Sequence, residues 1–335
     1  MEYRKLISFG KGSFVISIPK PWIEKNKLKK GDLLGMEETH SGLMLTSNAS
    51  PSKKEEKKIT ITVDGKGLDR LKAEIVSAYL NNYDLFEIIT KDLKNDVMAI
   101  KNTLMDLAGL EIMEQTSTRL VAKYLIDINE VSVNSLIRRM DIITRSMIED
   151  TMKCMDNECD YETVHQRDSD VNRLHFLAYR VIRDALTNPR IREAMGKDNW
   201  ALQSDKSVVM RIEKIADRQK RVARYLQNTR LDKQQLKKLK ELYTTIQQVY
   251  QDVMKAYYTN DIELAYSIEL SHKKRLEDYD HFLEEHTHCE LAIKGTKKQK
   301  CDYRIACAAT ALIMENLKAM ATSIKYIART IMGGE

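Results

Sequence analysis

His165, Asp168, Asn172 and His175 are spaced 3, 4 and 3 residues apart, so on an α-helix all four lie on one face. Glu213 and Asp217 stand four apart further along, again one above the other. Two helices packed with these faces together would gather carboxylates, an amide and imidazoles around one point. Oxygen and imidazole ligands on facing bundle helices are how carboxylate metal sites are built, so the stripe is a candidate site for a divalent or transition metal such as Fe, Mn or Zn. The competing reading is a pair of solvated helix faces with Arg167, Arg173, Arg218 and Arg221 as ordinary ion-pair partners.

Other constellations are weaker. His286-Thr287-His288-Cys289, with His281 and Cys301 nearby, has zinc-ligating side chains but no second tight pair at zinc-finger spacing. Histidines at a helix C-terminus are the plainer reading. The sequence has no Gly-x-Ser-x-Gly, His-Glu-x-x-His or Walker loop, so no catalytic residue is assigned and an enzyme is not expected. A metallohydrolase on the acidic stripe would lack a recognisable nucleophile. Near the N-terminus, Arg4, Lys5, Lys11, Lys20, Lys25, Lys27, Lys29 and Lys30 outnumber the five acidic residues of positions 1–48. Lysine and arginine against backbone phosphate are the physical basis of DNA affinity. The basic runs Lys297–Lys300 and Arg218–Arg224 read as a solvated loop and a solvated helix flank.

The elements that position these residues follow from the punctuation. Eight of the twelve glycines and three of the four prolines lie before residue 110, so the first third is turn-rich and the remainder is long helices. In residues 1–48, Tyr3–Phe9, the turn Gly10-Lys11-Gly12 and Ser13–Ile18 read as a hairpin. A short helix over 22–27 and a second hairpin, Leu33–Glu37 with Leu43–Thr46, follow. So short a module buries little by itself, and dimerisation is inferred. Residues 49–58 are polar and charged, and read as a linker. Residues 59–127 alternate in period as β-α-β-α-β-β, a small α/β sandwich. Residues 130–332 read as six helices, over 131–155, 161–187, 205–228, 233–258, 261–287 and 300–331, in two three-helix halves. Trp200 falls in the break between Pro189 and Asp205, where it is expected to anchor the loop.

The fold class is thus multidomain: an N-terminal β module, a small α/β sandwich and a C-terminal all-α bundle. No window is apolar enough to span a membrane, and five cysteines without a CxxC fit a reduced, cytoplasmic chain. The sixteen methionines read as core filler at helical spacing.

Two resemblances follow from these residues. Arg4-Lys5-Leu6, Gly10-Lys11-Gly12-Ser13-Phe14-Val15-Ile16-Ser17-Ile18-Pro19-Lys20 and Leu28-Lys29-Lys30-Gly31-Asp32 resemble the AbrB/SpoVT/MazE DNA-binding module. In that family two chains interlock swapped hairpins. The resemblance implies a homodimer contacting promoter DNA through Arg4, Lys5, Lys11, Ser13 and Lys20; at Ser13 AbrB itself carries an arginine. Arg211-Ile212-Glu213-Lys214-Ile215-Ala216-Asp217 and Asp168-x-x-Val171-Asn172 resemble the signatures of PhoU-family phosphate-uptake regulators, whose fold is two three-helix repeats. Such segments hold metal clusters in that family, so the resemblance implies ligand roles for Asp168, Asn172, Glu213 and Asp217. In the second repeat Glu315 survives, Ala319 stands where an aspartate would complete the motif, and Glu269 is a loose counterpart.

The function expected from both is a cytoplasmic, phosphate-responsive regulator of phosphate uptake, binding DNA as a dimer and sensing or docking through its helical domain. The alternative is an adaptor that controls a phosphate transporter or sensor kinase by protein contact, its N-terminal module serving only to dimerise.

Overall fold

Short strands that find partners only across glycine turns open the chain. The structure, a computed structural model, describes residues 3–39, 42–47, 56–91, 97–156, 158, 160–286 and 297–333. It divides into two compact units, Met1–Glu56 and Lys57–Glu335.

In the first unit β1 (Ile7–Phe9) pairs antiparallel with β2 (Ser13–Val15). Gly10 turns the chain at φ 70°, a left-handed conformation that glycine adopts without strain. The strands are shorter than the alternation of Tyr3–Phe9 and Ser13–Ile18 predicts, because the pairing runs only from Phe9↔Ser13 to Ile7↔Val15. Pro19 and Pro21 start α1 (Lys20–Lys25), where a missing N–H costs nothing. β3 (Gly35–Thr39) and β4 (Gly42–Thr46) form the second hairpin. Phe9 and Phe14 of this unit are 71% and 67% exposed.

The second unit begins with a four-stranded sheet. β5 (Lys58–Thr62) and β6 (Leu85–Ile89) are parallel and joined by α2 (Leu68–Leu80). β6 then pairs antiparallel with β8 (Arg119–Tyr124), and β8 with β7 (Leu110–Gln115), in the order β5-β6-β8-β7. α3 (Val97–Met105) precedes β7, and the succession is the β-α-β-α-β-β of the sequence pattern. Leu71, Ile75 and Tyr79 of α2 and Ile100 and Leu104 of α3 are buried in one core with Ile61, Phe86, Ile88 and Leu120 of the sheet. Gly109, at φ 82°, enters β7 where a Cβ would lie 2.6 Å from the Ile126 side chain, so any other residue would be strained and would displace that side chain.

The helices follow. α4 (Val133–Met155) is capped by Ser132, α5 (Tyr161–Thr187) by Asp160, α7 (Asn199–Leu226) by Asp198, and α8 (Lys233–Thr259) by a reciprocal Asp232–Gln235 box. α9 (Ile262–Leu270), α10 (His272–His286) and α11 (Lys297–Ile331) complete the bundle, with α4, α5 and α7 packed together and α11 against α7 and α8.

Three elements differ from expectation. The break after α5 holds a short helix, α6 (Pro189–Ala194), opened by the Asn188 side chain. α7 starts at Asn199 rather than 205, because Asp198 accepts the Ala201 N–H at 2.7 Å. Trp200 therefore sits on the first turn of α7, 62% exposed, and anchors no loop. The expected fifth helix breaks at Ser271. There the Arg275 guanidinium donates to the Ile268 carbonyl at 2.6 Å and to Ser271 Oγ, satisfying the end of α9 in place of a continued ladder.

Arg180 of α5 ties sheet to bundle. It is fully buried and donates to the carbonyls of Tyr79 and Tyr83 and to the Asp84 carboxylate, each at 2.8 Å. Its guanidinium also lies 3.8 Å from the centre of the Tyr124 ring. Cys154, at the end of α4, is disulfide-bonded.

Candidate functional site

The acidic stripe lies where α5 and α7 pack. Asp168 comes from the second turn of α5 and is buried, one turn before half-buried Asn172. Glu213 and Asp217 come from the facing stretch of α7. The buried positions Val208, Ile212 and Ile215 turn α7 so that these carboxylates face α5 at the edge of the core.

The predicted residues lie close together, and two of them, Asp168 and Asp217, meet on a lysine. Lys220 Nζ lies 2.5 Å from Asp168 Oδ2 and 3.6 Å from Asp217 Oδ1. Arg221 holds the other Asp217 oxygen at 2.8 Å. Asn172 Nδ2 donates to Asp168 Oδ2 at 3.4 Å. Burial raises the Glu213 carboxyl above its ordinary range, and the neighbouring Asp217 and Asp168 charges raise it further. His165 is exposed and stacks on Tyr161, while His175 rests against Phe176 and Tyr179, its pKa lowered by burial to about 4. The imidazoles thus stand apart from the carboxylates. A cation held by Asp168 and Asp217 together would meet the Lys220 ammonium, so the donor set as folded does not fit a metal ion. Among the described residues no three His, Cys, Asp or Glu side chains are grouped as ligands for one ion.

The second half also pairs an acid with a base across two of its helices. Glu269 of α9 accepts from Arg329 of α11 through two nitrogens, at 2.7 and 3.2 Å. Glu315 pairs instead with Lys318 at 2.9 Å. From sequence, Lys220 belongs to a run that reads as a solvated flank. A signal for its role is nonetheless present, because Lys220 lies three residues after Asp217 and seven after Glu213, on the same helix face. Of the zinc candidates, His281 pairs with Glu285 at 3.0 Å, and Thr287–Cys289 lie outside the described residues.

In the N-terminal unit Lys11 occupies the β1–β2 turn and Ser13 opens β2 opposite Phe9. Arg4, Lys5, Lys11, Ser13 and Lys20 are all exposed, and Lys20 is 3.6 Å from Glu24. The module therefore offers its cations to solvent along with its apolar side chains.

These features agree with what the chain is similar to. Residues 7–57 match the family described as antidote-toxin recognition MazE, bacterial antitoxin. The structure of PhoU from Pseudomonas aeruginosa superposes with a TM-score of 0.51 over 60% of this chain and 93% of that one, at 16% identity. The helical part has a PhoU-like fold. A MazE-like module thus stands before a PhoU-like bundle, as the sequence motifs imply. No curated protein matches the sequence. Among the described residues no helix is long and apolar enough to cross a membrane.

Proposed function

We propose that this chain is a cytoplasmic, phosphate-responsive transcription regulator of phosphate uptake. It acts as a homodimer that contacts promoter DNA through its MazE-like module and senses phosphate status, or docks a transporter component, through its PhoU-like bundle. The observation that carries the reading is the joining of these two modules in one chain. Two features of the first unit support it. Phe9, Phe14, Ile16 and Leu43 lie in water, as expected of a half-module awaiting a second copy. The exposed Arg4, Lys5, Lys11 and Lys20 supply the charge that phosphate backbones attract. The reading assigns the protein no chemical step.

The test is binding of the full chain to labelled upstream regions of phosphate-transporter genes, at two salt concentrations and with or without phosphate. Retained, phosphate-dependent binding with a steep salt slope is the expected result. No binding at low salt would leave the adaptor reading, in which the module only pairs subunits.

A further inference from the structure

Carboxylates gathered on facing bundle helices must be neutralised, because an ionised oxygen facing a partly dry interior is costly unless a cation meets it. Here the chain supplies the cation. Asp168, only 3% exposed, has Lys220 at 2.5 Å, and the same ammonium reaches Asp217. Arg221 takes the remaining Asp217 oxygen, so two carboxylates meet two basic groups. The third carboxylate, Glu213, is half-buried beside them, facing the Asp168 and Asp217 charges. In the second half Glu269 faces Arg329 in a two-pronged pair. Both pairs join the helix after the half's first long helix to the half's last helix.

A divalent ion needs oxygen ligands at roughly 2.0–2.6 Å, inside the space now held by the Lys220 ammonium. Ammonium and ion compete for the same oxygens and repel one another.

We propose that Lys220 is the built-in counter-cation of the Asp168, Glu213 and Asp217 cluster, standing where a divalent metal would otherwise bind. Lys220 thereby conceals a latent site for a hard divalent ion. This inference is independent of whether the chain binds DNA.

The experiment uses the full chain exposed to Mn(II), Fe(II) or Zn(II), desalted, and analysed for metal and thermal midpoint. The unmodified protein should retain no stoichiometric metal, and neither Mn(II) nor chelator should move its midpoint. Lys220→Met keeps the side-chain stem and removes the charge. It should bind Mn(II) at least about tenfold more tightly than the unmodified chain and gain midpoint on addition of the ion, by linkage. Lys220→Arg, which restores the charge, should lack that gain, and so should Lys220→Met combined with Asp168→Asn. Stoichiometric metal in the unmodified chain that Asp168→Asn removes would overturn the proposal, whatever the folding of the other variants. A folded Lys220→Met that ignores Mn(II) would overturn it equally.

Discussion

The guanidinium of Arg180 meets the carboxylate of Asp84 at 2.8 Å, on the seam between helix α5 and the small sheet. Arg180 is fully buried, whereas Asp84 keeps 14% of its side chain exposed. The Tyr79 carbonyl of α2, the Tyr83 carbonyl just beyond it and the Tyr124 ring also meet the guanidinium. A lysine has one nitrogen and no planar face, and cannot make these contacts at once. The pair therefore joins the sheet to the bundle within one compact unit.

Removing the carboxylate should cost more than trimming it. Asp84→Ala leaves a buried guanidinium without its counter-charge, a destabilisation of about 3–5 kcal/mol. Asp84→Asn keeps an acceptor for the same nitrogen and should be distinctly milder. Urea unfolding of both variants checks the order, and equal midpoints would mean that the Tyr79 and Tyr83 carbonyls alone hold Arg180.

Periodicity makes the helices and the strand order legible, since apolar spacing reports which face is buried whatever the partner. Caps and partners are less so. Asp198 lies just before Asn199 and starts α7, but the polar stretch around Trp200 looks like loop until the cap is seen. The break at Ser271 depends on Arg275 reaching back to the Ile268 carbonyl, and no apolar pattern records that contact. The spacing of Asp168, Asn172, Glu213 and Asp217 is enough to bring them together. Lys220 and Arg180 do not stand out in the same way, because a basic residue on a helix usually faces water, and only packing shows which ones do not.

The N-terminal unit should assemble through its apolar side chains. In a two-fold interface one substitution appears twice, and Phe14→Asp removes a large apolar group while adding a charge. A penalty of about 3 kcal/mol per site would shift the dimer strongly to monomer. Light scattering of the full chain reads this directly. An unmodified chain that is already a stable monomer at micromolar concentration would refute it.

Lys11, at the tip of the first hairpin, should act on DNA through charge alone. Lys11→Ala should weaken binding to all fragments alike and lower the salt slope by about one unit for each phosphate that the lysine neutralises. A change confined to one sequence would point instead to base readout.

Acid should weaken the helical unit through its histidines. Burial lowers His175 from 6.5 to about 4, and His272 falls to about the same value through burial and the nearby Lys325, Arg275 and Arg329 charges. Both rings are therefore neutral in the fold at pH values where the unfolded chain begins to protonate them. Between 6.5 and about 4 the unfolded state binds more protons, so stability falls as pH falls through that window and is fully present above it. A shift of this size is worth on the order of 3 kcal/mol per ring at the acid end. Glu213 acts in the opposite sense. Its raised carboxyl favours the protonated fold, adding stability below the ordinary glutamate range that is lost as pH rises through its folded value. His175→Leu keeps an apolar group against Phe176 and Tyr179, and should leave the thermal midpoint near neutral pH little changed while flattening its decline into acid. If the variant's midpoint declines as steeply as that of the unmodified chain, His175 is protonated in the fold and the acid response lies elsewhere, with His272 the next residue to replace.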